Sequence, residues 1–164
     1  MHLFFQAASP SDIPLIFQLA EKIWHAHYPD IITRQQIDFM LQSRYSEEAI
    51  RQGMEKGEKF FLAYHNEIPV GYASIEQKPD YCYLHKFYLD VSKHRSGIGQ
   101  QFFNYLLQQI DATKPIILQV NRQNIKAVNF YFKEGFTIEK AEDFDIGGGY
   151  FMNDFVMIRK PNAL

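Results

Sequence analysis

Apolar residues recur at helical spacing in the first third of the chain and predict three helices. Ser11 can cap the first helix, and Pro14 suits its first turn because no N–H group is needed there. The apolar side of this helix consists of Ile13, Ile16, Phe17, Ala20, Ile23 and Trp24. Thr33 opens a second helix, and Ser46 begins a third helix that stops between Gly53 and Gly57.

The pattern then changes to strands. The segment KFFLAYHNEIPVGYASIEQ has strand-type residues on both sides of the turn HNEI and predicts a hairpin. The N-terminal run LFF predicts another short strand. The tail from Phe136 to Lys160 predicts two more strands around the turn DIGGG.

A strand, a helix and a second strand follow one another in the middle of the chain. The strand over 81–91 reads YCYLHKFYLDV, and the strand over 116–121 reads IILQVN. The apolar stripe of the helix between them consists of Ile98, Phe102, Leu106 and Ile110. A crossover of this length places its two strands parallel in one sheet. A short helix follows in NIKAVNFYFKEGF and ends at Gly135.

Composition and charge narrow the class of protein. The chain has 164 residues, 46% of them hydrophobic, which suits one domain over residues 1–164 with a single core. A net charge of -2 argues against nucleic acid and anionic membranes as partners. No run approaches the roughly 20 apolar residues of a membrane span. The lone Cys82 excludes an internal disulfide, and we expect a cytoplasmic protein.

The stretch SKHRSGIGQQFF joins the first strand of the crossover to its helix. Gly97 and Gly99 let a ligand approach the unpaired N–H groups at the helix start, beside the basic cluster KHR. Such a turn suits a phosphate or pyrophosphate. Alternatively, the glycines only ease a tight turn. The P-loop pattern and the dinucleotide fingerprint are both absent, since Phe102 replaces the third glycine of the latter.

Two motifs together resemble those of the GNAT N-acetyltransferase superfamily. HRSGIG is similar to its acyl-CoA loop, in which Arg or Gln comes first, and His94 is a departure from that pattern. NIKAVNFYFKEGF is similar to the second family signature, with its Asn, Ala, Phe-Tyr pair and Gly-Phe. The resemblance covers nearly the whole chain and is nearest to a small bacterial branch of the PaiA and RimI-like type, whose PaiA members acetylate polyamines.

The resemblance implies an α/β fold with a mixed sheet of about six to seven strands and about four to five helices. Strands 81–91 and 116–121 start side by side and splay apart, leaving a wedge for the pantetheine arm of acetyl-CoA. Backbone groups of one strand pair with that arm, and the glycine loop holds the pyrophosphate. No metal is implied. The residues that the resemblance assigns to acetyl-CoA are Phe87, Leu89, Val91, His94, Arg95, Ser96, Gly97, Ile98, Gly99, Gln100, Asn124, Ala127 and Tyr131.

The resemblance also points to residues for the two proton transfers of the reaction. Tyr131 is the candidate acid for the CoA thiolate, and its alternative role is that of a core tyrosine. Many relatives carry a glutamate as base where this chain has His85. An imidazole with a reference pKa of about 6.5 suits neutral pH, although a strand histidine can equally be structural. Glu76 on the preceding strand is the reserve candidate.

The acceptor is the least determined feature. We expect a small-molecule amine or polyamine, with a protein N-terminal or lysine amine as the first alternative and a non-catalytic acyl-CoA sensor as the second. The sequence does not decide whether the chain forms a homodimer. His27 and Tyr28 are candidates for the acceptor pocket, and Trp24 for the core. The acids that can attract a polycation, or form a solvated face, are Asp80, Asp90, Glu142, Asp143 and Asp145.

Overall fold

The computed structural model describes residues 2–162, and within them seven strands form one mixed sheet with five α-helices. The strands are β1 (Leu3–Ala7), β2 (Lys59–His65), β3 (Ile68–Gln77), β4 (Cys82–Leu89), β5 (Ile116–Asn121), β6 (Thr137–Gly147) and β7 (Tyr150–Arg159). They are arranged in the order β1-β2-β3-β4-β5-β7-β6. The predicted α/β fold with a mixed sheet is confirmed.

The helices begin close to the predicted caps. They are α1 (Ile13–His27), α2 (Arg34–Arg44), α3 (Glu47–Glu55), α4 (Ile98–Leu107) and α5 (Ile125–Lys133). The Thr33 hydroxyl accepts from the N–H of Gln36 at 3.2 Å, and the Ser46 hydroxyl accepts from that of Ala49 at 3.2 Å. Both side chains satisfy an N–H group that the first turn leaves unpaired, as predicted.

Two details of the helix prediction were wrong. Ser11 does not cap α1, because Asp12 reaches back to the N–H of Ser9 at 2.9 Å and forms a short 3-10 turn before the helix. Asp12 then holds the cap position of α1. Ile110 lies beyond the end of α4, although it still packs against the core with the helix stripe.

Strands β4 and β5 separate soon after they start. Their parallel pairing covers only Cys82 with Ile116 and Tyr83 with Ile117. Beyond these pairs, β4 stays bonded to β3 and β5 stays bonded to β7, so the two halves of the sheet diverge. The predicted splay is confirmed, and it opens a gap whose walls are strand backbones.

A β-bulge interrupts β4 beside this gap. Ser74 of β3 lies opposite Lys86, whereas the next residue, Ile75, lies opposite Leu84. His85 is therefore an extra residue on β4, and the bulge places the side chains of His85 and Lys86 on the same side of the strand. Bulges of this kind redirect side chains toward a site.

The core has two parts, one on each face of the sheet. Phe102 and Phe103 of α4 fill the face that also receives Tyr131 of α5. Helices α1, α2 and α3 cover the opposite face, where Trp24 lies 4.2 Å from the ring of Tyr28 between ring centroids.

Candidate functional site

A cavity of about 790 Å³ occupies the gap between the diverging strands and continues beneath α1, α2 and α3. Its walls include most of the residues predicted for acetyl-CoA. Those that line it are Phe87, Leu89, His94, Arg95, Gly97, Gly99, Gln100, Asn124, Ala127 and Tyr131. His85, His27, Tyr28 and Trp24 line it as well. The structure thus brings together residues from four separate parts of the chain.

Four of the predicted residues do not line the cavity. Val91 is exposed on a short turn after β4, and the hydroxyl of Ser96 turns back to the carbonyl of Lys93 at 2.5 Å. The side chain of Ile98 is buried in the core, which leaves only its backbone for a ligand. Glu76 lies behind His85.

The glycine loop has the backbone that the sequence predicted. Gly97 precedes α4 with φ at +80°, a left-handed conformation that a residue with a Cβ adopts only under strain. Gly99 lies in the first turn of the helix, where a Cβ would be 3.6 Å from the ring of Phe130. This is an ordinary contact, so packing within the protein does not require glycine at position 99. Gly99 also lines the cavity.

His94, the departure from the family loop, turns back toward the sheet. Its Nε2 lies 3.0 Å from the carbonyl oxygen of Leu89 and donates to it, because a carbonyl can only accept. The ring also lies 5.9 Å from that of His27, between centroids. His94 therefore braces the loop against the end of β4.

Asn124 connects α5 to the end of α1. Its Oδ1 accepts from the N–H of Ala127 at 3.4 Å and from Nε2 of His27 at 3.0 Å. Burial lowers the pKa of His27. The hydrogen bond to Asn124 opposes this shift, and the nearby His94 adds to it. A neutral imidazole with its proton on Nε2 fits this contact.

Tyr131 lies on the buried side of α5 and is 7% exposed. Burial raises the pKa of its phenol well above the ordinary value, and the nearby Tyr28 adds to the shift. The hydroxyl is therefore a protonated donor throughout the neutral range. Tyr131 packs in the core and also borders the cavity.

His85 and Glu76 form a pair at the edge of the cavity. Nε2 of His85 lies 2.8 Å from Oε2 of Glu76, and Nζ of Lys78 lies 2.5 Å from Oε1. Lys78 and His85 together hold the pKa of Glu76 below its ordinary value. An ionised carboxylate only accepts hydrogen bonds, so Nε2 of His85 is the donor in this contact, and the lone pair of the neutral imidazole is on Nδ1.

Sequence reasoning missed two charged features of the cavity. Nζ of Lys86 forms a partly buried ion pair with Glu58 at 2.6 Å and lies 5.3 Å from the ring centre of Tyr45. Asp154 of β7 lines the cavity and is 0% exposed. The sequence contained a signal for the burial of Asp154, because strand alternation places it on the same face as two apolar residues, Met152 and Val156.

Comparisons with known proteins agree with this geometry. Residues 30–147 match the family described as an acetyltransferase (GNAT) domain. A spermidine N(1)-acetyltransferase from Thermoplasma acidophilum is 22% identical over 168 residues, which cover 98% of each chain. These matches confirm the resemblance that the two motifs indicated.

Solved structures share the fold over nearly their full length. The PaiA N-acetyltransferase from Thermoplasma acidophilum in complex with coenzyme A has a TM-score of 0.78 at 21% identity, with 98% of this chain and 99% of that chain covered. The ribosomal-protein-S18-alanine N-acetyltransferase from Escherichia coli has a TM-score of 0.75 at 15% identity, with 99% and 96% covered. At these identities the likeness concerns the fold.

Two further observations apply to residues 2–162. No helix in that range is both long enough and apolar enough to cross a membrane. The same residues hold no group of three or more His, Cys, Asp or Glu side chains placed to bind a metal ion.

Proposed function

Because the chain belongs to the GNAT family and is an acetyl-CoA-dependent acetyltransferase, we propose that it acetylates a small aliphatic amine or polyamine. The transfer proceeds by direct attack while both substrates are bound. One observation carries the proposal: the gap between β4 and β5 joins a cavity that is open to an amine on the face covered by α1 to α3.

Acetyl-CoA enters the gap in this proposal. Backbone groups of Phe87 and Leu89, which line the cavity, pair with the pantetheine arm as an added strand would. Val91, predicted to continue this strand, lies on the turn after β4, and its carbonyl accepts from the N–H of His94. The N–H groups of the glycine loop hold the pyrophosphate at the start of α4, where the helix dipole favours an anion. Those of His94 and Ile98 already donate to the Val91 carbonyl and the Ser96 hydroxyl, so the N–H groups left for the ligand are those of Arg95, Ser96, Gly97, Gly99 and Gln100. The carbonyl of Leu89 already accepts from His94, so its N–H is the group left for the ligand.

Asn124, Ala127 and Tyr131 approach from the α5 side. The caps and contacts of Asn124 hold the start of α5 against α1, which keeps Tyr131 in place beside the gap. Tyr131 donates the proton that the CoA thiolate needs when the carbon–sulfur bond breaks. Its raised pKa makes it a weak acid, and the same dry surroundings raise the basicity of the thiolate that receives the proton.

His85 serves as the base. At pH 7 only about one alkylamine in a few thousand is neutral, so a proton must leave the ammonium before its nitrogen attacks the thioester carbonyl. Nδ1 of His85 accepts that proton directly or through water, while Glu76 holds the ring and stabilises the imidazolium that forms. Glu76 acts as a positioning residue because His85 lies between it and the cavity.

The nature of the cavity supports a small amine. The buried rings of Trp24, Tyr28 and Tyr45 surround it, and aromatic faces attract alkylammonium groups. The sequence similarity to a spermidine N(1)-acetyltransferase points in the same direction. Two alternatives compete with this proposal. The acceptor could be a protein N-terminal or lysine amine, or the protein could be a sensor that binds acyl-CoA without turnover.

The test is an acceptor panel read by release of free thiol from acetyl-CoA. Spermidine, 1,4-diaminobutane, a lysine-containing peptide and a peptide with a free N-terminal alanine form the panel, and calorimetry measures acetyl-CoA binding in parallel. We expect turnover with the free amines at a higher kcat/KM than with either peptide. Turnover with the peptides alone would show that the acceptor is a protein amine. Binding of acetyl-CoA without any turnover would favour the acyl-CoA sensor.

A further inference from the structure

Asp154 is a buried acid with no partner of its own. It lies on β7 at 0% exposure, and among residues 2–162 neither of its carboxylate oxygens has a hydrogen-bond partner. The other buried aspartate, Asp90, is paired with Lys22 and accepts from the N–H of Ser92. A buried carboxylate costs free energy unless it is paired, so the isolation of Asp154 calls for an explanation.

Among residues 2–162, the surroundings of Asp154 contain charged groups, but none forms an ion pair with it. Arg122 is bonded to Asp143 at 2.6 Å, and Arg44 lines the cavity from α2. Both arginines favour the ionised form, yet burial outweighs them and raises the pKa of Asp154 to about 6. The carboxylate is therefore mostly ionised at neutral pH.

Other groups face Asp154 from the elements packed around it. Asn121 of β5 and Glu142 of β6 lie opposite it in register. The phenols of Tyr28 and Tyr83 are close enough for its charge to raise the pKa of each. The neighbours within the described part of the chain thus supply two neutral aromatic groups and a second acid, and no positive charge bonded to Asp154.

A ligand that complements this position is a cation. The phosphates of CoA are anionic and the pantetheine arm is neutral, so neither relieves a buried negative charge. An alkylammonium, with a pKa near 10.4, is positive at neutral pH and also suits the phenol faces of Tyr28 and Tyr83. The acceptor is the substrate that carries such a group.

We propose that Asp154 binds an ammonium group of the acceptor amine on the β7 side of the cavity. The proposal rests on the proposed function, because it takes the acceptor to be an amine. Neighbouring atoms cover the carboxylate as it stands, so contact requires the side chain to rotate toward the cavity that it borders. Asp154 is a binding residue here and takes no part in the bond changes.

The experiment compares Asp154→Asn with Glu139→Gln, a control that removes one negative charge from an exposed position of β6. Calorimetry measures 1,4-diaminobutane binding to the CoA-saturated full chain at pH 7.5. We expect Asp154→Asn to weaken diamine binding at least tenfold, with CoA affinity preserved and the melting temperature not lowered. The control should stay within about twofold of the parent.

The pH dependence adds a second readout. Diamine binding to the parent should weaken as the pH falls through about 6, where Asp154 gains a proton, and Asp154→Asn should lose that dependence. A pH dependence of the same size in Asp154→Asn would show that another group causes it and would overturn the assignment. Unchanged diamine affinity in the variant, or no diamine binding by the parent, would overturn it as well.

The thiol assay separates this inference from the proposed function. Asp154-dependent diamine binding without thiol release would leave Asp154 as the ammonium site and reject acetyl transfer to such amines. Thiol release with the same KM for the amine in parent and Asp154→Asn would leave the function intact and reject the role of Asp154. Loss of CoA binding together with a lower melting temperature would identify Asp154 as structural.

Discussion

The imidazole of His85 is bonded to the carboxylate of Glu76, with 2.8 Å between Nε2 and Oε2. From the sequence, His85 and Glu76 are alternative candidates for the catalytic base. The fold instead places them in contact with each other. His85 borders the cavity, and Glu76 lies behind it with Lys78. Because Nε2 donates to Glu76, the lone pair of the neutral imidazole is on Nδ1.

His85→Gln should lower kcat/KM and remove the acid limb of its pH profile, because the amide cannot accept a proton in the neutral range. Glu76→Gln should lower kcat/KM less and keep the limb, since its amide oxygen can still accept from Nε2. Steady-state kinetics with acetyl-CoA and spermidine across pH 5.5 to 8.5 measure both. A full parental profile in His85→Gln would make His85 a structural residue.

Tyr131→Phe retains the ring and removes the hydroxyl proton. We expect kcat to fall by roughly 100-fold, the usual size of a general-acid contribution, while the CoA dissociation constant stays within a few-fold. Rapid-quench kinetics and calorimetry give the two values. Phe132→Leu on the exposed side of α5 is the control for changes in the helix itself. Equal turnover in Tyr131→Phe and the parent would restrict Tyr131 to packing.

Gly99→Val should weaken CoA binding at least tenfold, or about 1.4 kcal/mol, because the side chain would occupy the space above the first N–H groups of α4. The Cβ itself meets only an ordinary contact with Phe130, so the fold should persist. Gln101→Val places the same β-branched residue at an exposed position of α4 and should leave CoA affinity unchanged. Calorimetry measures the CoA affinity of both variants. An unchanged affinity in Gly99→Val would contradict the assignment of this loop to the pyrophosphate.

Asp154→Asn should increase the free energy of unfolding at pH 7.5. The folded pKa of Asp154 is raised from 3.8 to about 6, so its ionised form destabilises the fold above pH 6 and its protonated form does not below pH 4. The gain is at most about 3 kcal/mol, since the buried Asn amide also lacks a partner. Urea unfolding at several pH values should show the difference between variant and parent growing from pH 4 to pH 6. A variant less stable than the parent at pH 7.5 would contradict this account.

The elements and their order could be predicted from the sequence because they depend on neighbours along the chain. Thr33 and Ser46 bond to N–H groups three residues later, and the apolar periods of 3.6 and 2 distinguish helices from strands. The same holds for the glycine loop, whose conformation at Gly97 is a local requirement. Family membership followed from two such local motifs and their spacing.

Contacts between distant parts of the chain were decided by the tertiary structure alone. The bulge opposite Ser74 and Ile75 sets which β4 side chains meet Glu76, and strand pairing is not readable from either strand by itself. The bond between His27 and Asn124 joins residues 97 positions apart. Asp154 becomes a buried, unpaired charge only when β5, β6 and α2 close around it, because burial is a property of the packed molecule and not of a residue's place in the sequence.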